Sequence, residues 1–199
     1  MGGDAAQDLT AFDRVSWPVR SERLAIRPPT PEDFSRLYEI RAAPGVTQWL
    51  TGAPASLEDY VERYGTPERL ATTLVLEAEG AVVGDLFCAV ESPWSQAEVR
   101  DRARNTLAAI GWCLDPAYTG RGYATEAAAA LLRICFEDIA VRRVVAGAFA
   151  DNAASVRVME KIGMRIEGRG VRDSLHRDLG WLDGVTAAIL LEEWRERHR

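Results

Sequence analysis

Gly120-Arg121-Gly122 lies between an apolar run, Leu107 to Leu114, and a stretch from Thr125 onward whose apolar residues recur at three- and four-residue steps. Glycines between a buried strand and a helix let the backbone approach a ligand and turn successive N–H groups inward. The helix start adds unpaired N–H groups and the positive end of its dipole. Together they form an anion cradle that needs no lysine and suits a phosphate or pyrophosphate. A Walker A loop is excluded, because no Gly-Lys-Ser/Thr follows four spacer residues. A dinucleotide fingerprint fits poorly. Thr125 stands at its third glycine, Asp115 to Thr119 separate strand from loop, and only about 75 residues follow. By spacing alone, a close-packed turn remains an equal alternative. Asn152 and Ser155 form a second polar set, at the start of a later helix.

The elements that must position these residues can be read from periodicity. Arg23 to Arg27 alternates as a strand and closes at Pro28-Pro29; residues 1–20 lack periodicity and read as a loose arm. Thr30-Pro31-Glu32-Asp33 and Ser56-Leu57-Glu58-Asp59 open two helices with capping residues and early acids. Pro44-Gly45 ends the first, and the apolar residues of Val46 to Gly52 pin the intervening loop to the body. Residues 73–78 and 81–88 flank Glu79-Gly80 as a tight hairpin. A polar insert, Ser92 to Arg104, reads as a solvated loop. Leu107 to Leu114 and Val144 to Phe149 are central strands. A helix runs from Thr125 to Ile139, and Asp151-Asn152 caps another from Ala153 to Lys161. Two further runs, 164–167 and 185–191, are strands. The order β-α-α-β-β-β-α-β-α-β-β is an α/β (α+β) mixture on a largely antiparallel sheet.

The composition bounds the function. The 199 residues carry 24 Lys+Arg against 30 Asp+Glu, a formal charge of −6, with 47% apolar and 27% charged residues. That is globular composition, sized for one domain. An isoelectric point near 5.1 argues against nucleic acid as a partner. No apolar run approaches the roughly 18 residues of a membrane span. The polar, acidic start is not a secretory signal, and Ala6 spoils a myristoylation pattern at Gly2. Cys88, Cys113 and Cys135 are widely spaced in apolar stretches, with no CxxC pair for a metal. The expectation is a cytoplasmic protein without a metal centre.

The cradle has a third reading, the pyrophosphate loop of coenzyme A acyltransferases. Gly120-Arg121-Gly122-Tyr123-Ala124-Thr125-Glu126-Ala127 resembles the loop of the GCN5-related N-acetyltransferase (GNAT) superfamily, and in particular of the branch that acetylates ribosomal-protein N-termini. Asp151-Asn152-Ala153-Ala154-Ser155-Val156-Arg157-Val158-Met159-Glu160-Lys161-Ile162-Gly163-Met164 resembles that superfamily's Asn-x-x-Ser-x-x-Val-x-x-Lys-x-Gly-Phe helix. The first strand and Gly180-Trp181-Leu182-Asp183-Gly184 also fit. The resemblance spans residues 22–194 and leaves 195–199 as a charged tail.

The resemblance implies a GNAT fold: about seven strands, splayed in the middle, with about four flanking helices. It implies acetyl-CoA as co-substrate and an amine as acceptor. The N–H groups around Thr119, Gly120, Arg121, Gly122, Tyr123, Ala124 and Thr125 would hold the pyrophosphate. The backbone of Trp112, Cys113 and Leu114 would pair with pantetheine. Asn152 would bond the same arm and Ser155 would reach the sulfur as the thiol's acid. Met159 stands where many relatives carry an acidic Tyr. Ala109 stands where many carry a basic Glu, and Thr119 where a Gln or Arg is common. The branch's alternative carboxylate falls at Ser174, which leaves its neighbour Asp173 as base candidate, with Glu167 and His176 near by; His176 also reads as an exposed loop histidine. The absent Tyr and Glu equally suit a non-catalytic acyl-CoA-binding module. Trp49, Trp94, Trp181 and Asp183 are candidates for the acceptor end. The net acidic charge favours a cationic acceptor, and a homodimer through the late strands accords with the resemblance.

Overall fold

Eight strands form one sheet in the order β1-β2-β3-β4-β5-β6-β8-β7, in a computed structural model that describes residues 11–199. In chain order the elements are β1 (Val19–Arg20), β2 (Leu24–Arg27), α1 (Phe34–Ala42), α2 (Pro44–Thr47), α3 (Leu57–Tyr64), α4 (Pro67–Leu70), β3 (Thr73–Ala78) and β4 (Ala81–Glu91). They continue with α5 (Arg100–Ala103), β5 (Leu107–Leu114), α6 (Tyr123–Arg133), β6 (Arg143–Phe149), α7 (Ala153–Lys161), β7 (Arg165–His176), β8 (Gly180–Leu190) and α8 (Leu191–Arg197). Every neighbouring pair is antiparallel except β5 with β6. This is the expected mixed α/β architecture with one more strand. Four of the helices are long, and four shorter ones join them.

The sheet separates two apolar layers by its period of two. On β3, Leu74 and Leu76 join the main cluster with α6, while Val75 between them packs on Leu37 of α1 and Tyr60 of α3. The caps read from the sequence hold. Thr30 and Asp33 form a capping box, and the Ser56 hydroxyl accepts from the Asp59 N–H. Glu79 and Gly80 both have positive φ, 54° and 79°, the pair that a two-residue turn matched to strand twist requires.

Four expectations are corrected. Residues 1–10 lie outside the described residues, but 11–20 are not a loose arm: Val15 and Val19 are buried, Phe12 and Trp17 pack against the core, and Val19 pairs with Ile26. Pro44 ends α1 and also opens α2, at a position where its missing N–H costs nothing. The late strands are much longer than read, because β7 and β8 form a hairpin across 165–190 whose polar outer half hid its period. The charged end is not a free tail, since α8 runs to Arg197 and buries Trp194 against Phe136. The helix at α6 continues as a π-helical turn over Ile134–Asp138. No helix among the described residues is long and apolar enough to cross a membrane.

Candidate active site

The parallel pair β5 and β6 is bonded only at its start, where Leu107, Ala108 and Ala109 face Arg143, Val144 and Val145. Beyond that point the strands diverge. Each keeps its outer partner, so Ile110–Leu114 stays on β4 and Ala146–Phe149 stays on β8, while the inner edges part. Two adjoining cavities share the wedge, both lined by Ile110–Cys113 and Ala146–Gly147. The larger, about 950 Å³, is lined by Ile110–Leu114, Ala146–Phe149, Thr119, Gly120, Gly122–Thr125 and the first turns of α7.

The loop that precedes α6 supplies the polar wall. Gly120 and Gly122 have φ of 75° and 84°, a region costly to any residue with a Cβ. The helical ladder begins with the Glu126 N–H to the Gly122 carbonyl, so the N–H groups of Tyr123, Ala124 and Thr125 lie ahead of it. All three residues line the larger cavity, at the positive end of the helix dipole. Arg121 is the one loop residue that turns away. Its guanidinium lies 5.3 Å from the Tyr118 ring centroid, and its carbonyl accepts from Arg23.

Across the cavity, Asn152 caps α7 by accepting the Ser155 N–H at 3.1 Å through Oδ1. That bond leaves its amide N–H₂ free to donate. Asn152 and Ser155 both line the cavity, as do Asp173 and Ser174 of β7. Asp173 reaches inward because β7 shifts register between Gly170 and Ser174, with Arg172 at a φ of 47°. Its carboxylate accepts from the Ser174 hydroxyl at 2.9 Å and has no ion-pair partner among the described residues.

The other carboxylate and the histidine fare differently. Hydrogen bonds from Arg143 hold the Glu167 carboxyl down at about 2, with Arg165 adding to the effect against some desolvation. A carboxylate so committed is a poor base. His176 is not an exposed loop residue: it is 4% exposed. Its Nε2 donates to the Gln48 carbonyl at 2.7 Å, and its Nδ1 accepts from the N–H groups of Asp178 and Leu179. No lone pair remains for proton transfer. Instead its ring lies edge-on to Trp49 and Phe149, which ties the 46–50 loop to the hairpin.

Of the aromatic candidates for the acceptor end, Trp49 lines both cavities. Trp94 is 91% exposed, and Trp181 stands out from the hairpin; neither lines them. Asp183 is a structural anchor that accepts from the Arg172 N–H. Cys113 contributes backbone to the larger cavity, while burial pushes its thiol up and out of the thiolate range. Sequence reasoning missed Arg157 and Lys161, one turn apart on α7 and both lining the larger cavity. Their i, i+4 spacing on the helix of Asn152 and Ser155 was the available signal. The second cavity, about 710 Å³, was missed altogether because its walls come from nine separate elements, α1, α3, α4 and β3 to β8.

A sheet split between two parallel strands, with an anion cradle at the mouth of the split, is the framework of an enzyme that transfers acyl groups from a coenzyme thioester. The chain belongs to the acetyltransferase (GNAT) domain family, which matches residues 23–165. It is 28% identical to the uncharacterized N-acetyltransferase YnaD of Bacillus subtilis, over 88% of this chain and 98% of that one. It is 29% identical to the L-amino acid N-acetyltransferase AaaT of Escherichia coli, over 76% of this chain and 89% of that one. Among solved structures it is similar to Mycobacterium smegmatis RimJ in complex with a CoA-disulfide, with a TM-score of 0.69 at 26% identity, covering 85% and 83% of the two chains. The protein is an acetyl-CoA-dependent N-acetyltransferase that moves an acetyl group to an amine.

Proposed function

We propose that acetyl-CoA occupies the larger cavity, with its pyrophosphate on the N–H groups of 120–125 and its pantetheine arm laid along the open edge of Trp112–Leu114; the Thr119 N–H is spent on the Pro116 carbonyl. The supporting observation is that one cavity wall carries the Gly120–Thr125 cradle and the opposite wall carries Asn152 and Ser155. Arg157 and Lys161 add two cations for a further phosphate of the coenzyme. The Asn152 amide donates to a pantetheine carbonyl.

The chemistry is direct transfer within a ternary complex. A neutral amine attacks the thioester carbon, and N–H groups of the open β5 edge stabilise the oxyanion that forms. As the tetrahedral intermediate collapses, the C–S bond breaks, the Ser155 hydroxyl passes its proton to the thiolate, and Ser155 regains one that the intermediate's nitrogen gives up through water. Asp173, the unpaired carboxylate on the cavity wall, accepts the proton that the attacking ammonium must lose, directly or through water. The net result is an N-acetyl amide and free CoA. The three cysteines are free thiols, in keeping with a cytoplasmic enzyme.

Mass-spectrometric detection of acetylated products across an amine panel, with thiol release followed in parallel, tests this reading. Ser155→Ala should lower kcat by about 10- to 100-fold at nearly unchanged KM for acetyl-CoA. An unaltered kcat would remove Ser155 from the chemistry.

A further inference from the structure

The second cavity adjoins the first along the same split, sharing Trp49–Thr51, Ile110–Cys113 and Ala146–Gly147 with it, and extends to α1, α3 and α4 where the first does not. On the acetyl-transfer reading above, it is where the amine arrives. Its charged lining consists of three guanidinium groups, Arg41, Arg69 and Arg143, and two carboxylates, Asp85 and Glu167.

Both carboxylates are committed. Asp85 is buried and accepts from the Arg41 Nε at 2.9 Å and Nη2 at 2.5 Å. Burial opposes the charge on Arg41, but the Asp85 carboxylate outweighs it and holds the guanidinium above its usual range. Glu167 accepts from both terminal nitrogens of Arg143 and from Arg165. Two cations and two anions cancel. Arg69 is left with no carboxylate partner among the described residues.

Arg69 is also placed to present its fork. Its guanidinium carbon lies 5.8 Å from the Tyr64 ring centroid, and that ring stacks on buried Tyr60 at 4.8 Å. Its backbone carbonyl accepts from the hydroxyls of Thr72 and Thr73. An exposed guanidinium near an aromatic ring, with free donors on a cavity wall, matches a carboxylate.

We infer that the acceptor is a small amine carrying its own carboxylate, an amino-acid-like molecule, and that Arg69 binds that carboxylate. The cavity holds no free carboxylate to receive the extra ammonium groups of a polyamine or aminoglycoside. The local balance therefore runs against the protein's net charge of −6, and the expectation of a cationic acceptor is replaced.

The test sets L-amino acids beside their carboxamides and decarboxylated amines, with a peptide amine as a further arm, and reads initial rates of thiol release. At least one amino acid should exceed both its matched analogues by about tenfold or more in kcat/KM. Arg69→Gln should lower that value by about 10- to 100-fold, chiefly through KM, leave the decarboxylated amine within about twofold, and be partly rescued by Arg69→Lys. Analogues that match the acid would overturn the inference. So would an Arg69→Gln effect equal on every amine, or no acetylated amino acid while acetyl-CoA still binds. Failure of the wild-type protein to bind acetyl-CoA in calorimetry would instead overturn the coenzyme site itself.

Discussion

Arg23 and Glu126 lie 103 residues apart in sequence and meet behind the anion cradle. The Glu126 carboxylate accepts from the Arg23 Nε and the Arg23 backbone N–H, each at 2.7 Å, and the same guanidinium donates to the Arg121 carbonyl at 2.8 Å. The bond engages the carbonyl of Arg121, the residue between the two glycines, which itself does not line the cavity. The residue just before β2 thus braces a loop near the middle of the chain.

Arg23→Ala should therefore weaken acetyl-CoA binding by roughly fivefold, with kcat at saturating coenzyme little changed, as titration calorimetry and steady-state rates would report. Burial works to raise the Glu126 carboxyl, but hydrogen bonds from Ser21 and Arg23 outweigh it and hold it below the usual carboxylate range. The link is complete above that range and fails only as pH falls through the lowered value. Coenzyme affinity should accordingly owe nothing to Glu126 titration near neutrality.

Gly170 and Gly184 make room for Asp173. A Cβ on Gly170 would stand 1.6 Å from an Asp173 carboxylate oxygen, and one on Gly184 would stand 2.6 Å from the other. Gly170→Ala should displace the carboxylate and lower kcat as Asp173→Asn does, about tenfold or more, with acetyl-CoA affinity retained in both. Unchanged kcat in the two variants would remove Asp173 from the proton path.

The His176 ring is a tie between two elements. Its removal in His176→Ala strips a buried hydrogen bond and the aromatic contacts to Trp49 and Phe149, a loss of about 2 kcal/mol or more in denaturant unfolding. KM for the amine should rise more than kcat falls, because Trp49 and Leu50 line the second cavity, proposed above to receive the acceptor. A pH–rate profile that keeps its shape in His176→Gln would agree with a ring whose nitrogens are both bonded.

Glu167 of β7 pairs with Arg143 of β6 across β8 and with Arg165 of its own strand. Its carboxyl is held at about 2, so its contribution to stability is whole above the ordinary carboxylate range and is lost as pH falls toward 2. Acid titration of the wild-type protein should show stability declining through that window, and Glu167→Gln should flatten the decline.

Much of this was legible in the primary structure because local chemistry dictated it. Gly120 and Gly122 must be glycines for their positive φ, Asn152 must cap, and Pro31 and Ser56 must start helices. Those choices survive in any tertiary context. The anchoring of residues 12–20 was not legible, because Val15 and Val19 are buried by neighbours distant in sequence. His176 was misread for the same reason: its partner is the Gln48 carbonyl, 128 residues away. The second cavity was invisible because its charge balance depends on which arginine meets which carboxylate, and single-residue patterns do not encode pairing.

A crystal structure of the protein grown with acetyl-CoA addresses the central claim directly. The account expects the diphosphate on the main-chain N–H groups of 120–125, the pantetheine along Trp112–Leu114, and the thioester sulfur beside Ser155. Coenzyme bound elsewhere, with the wedge between β5 and β6 closed by side chains, would contradict it.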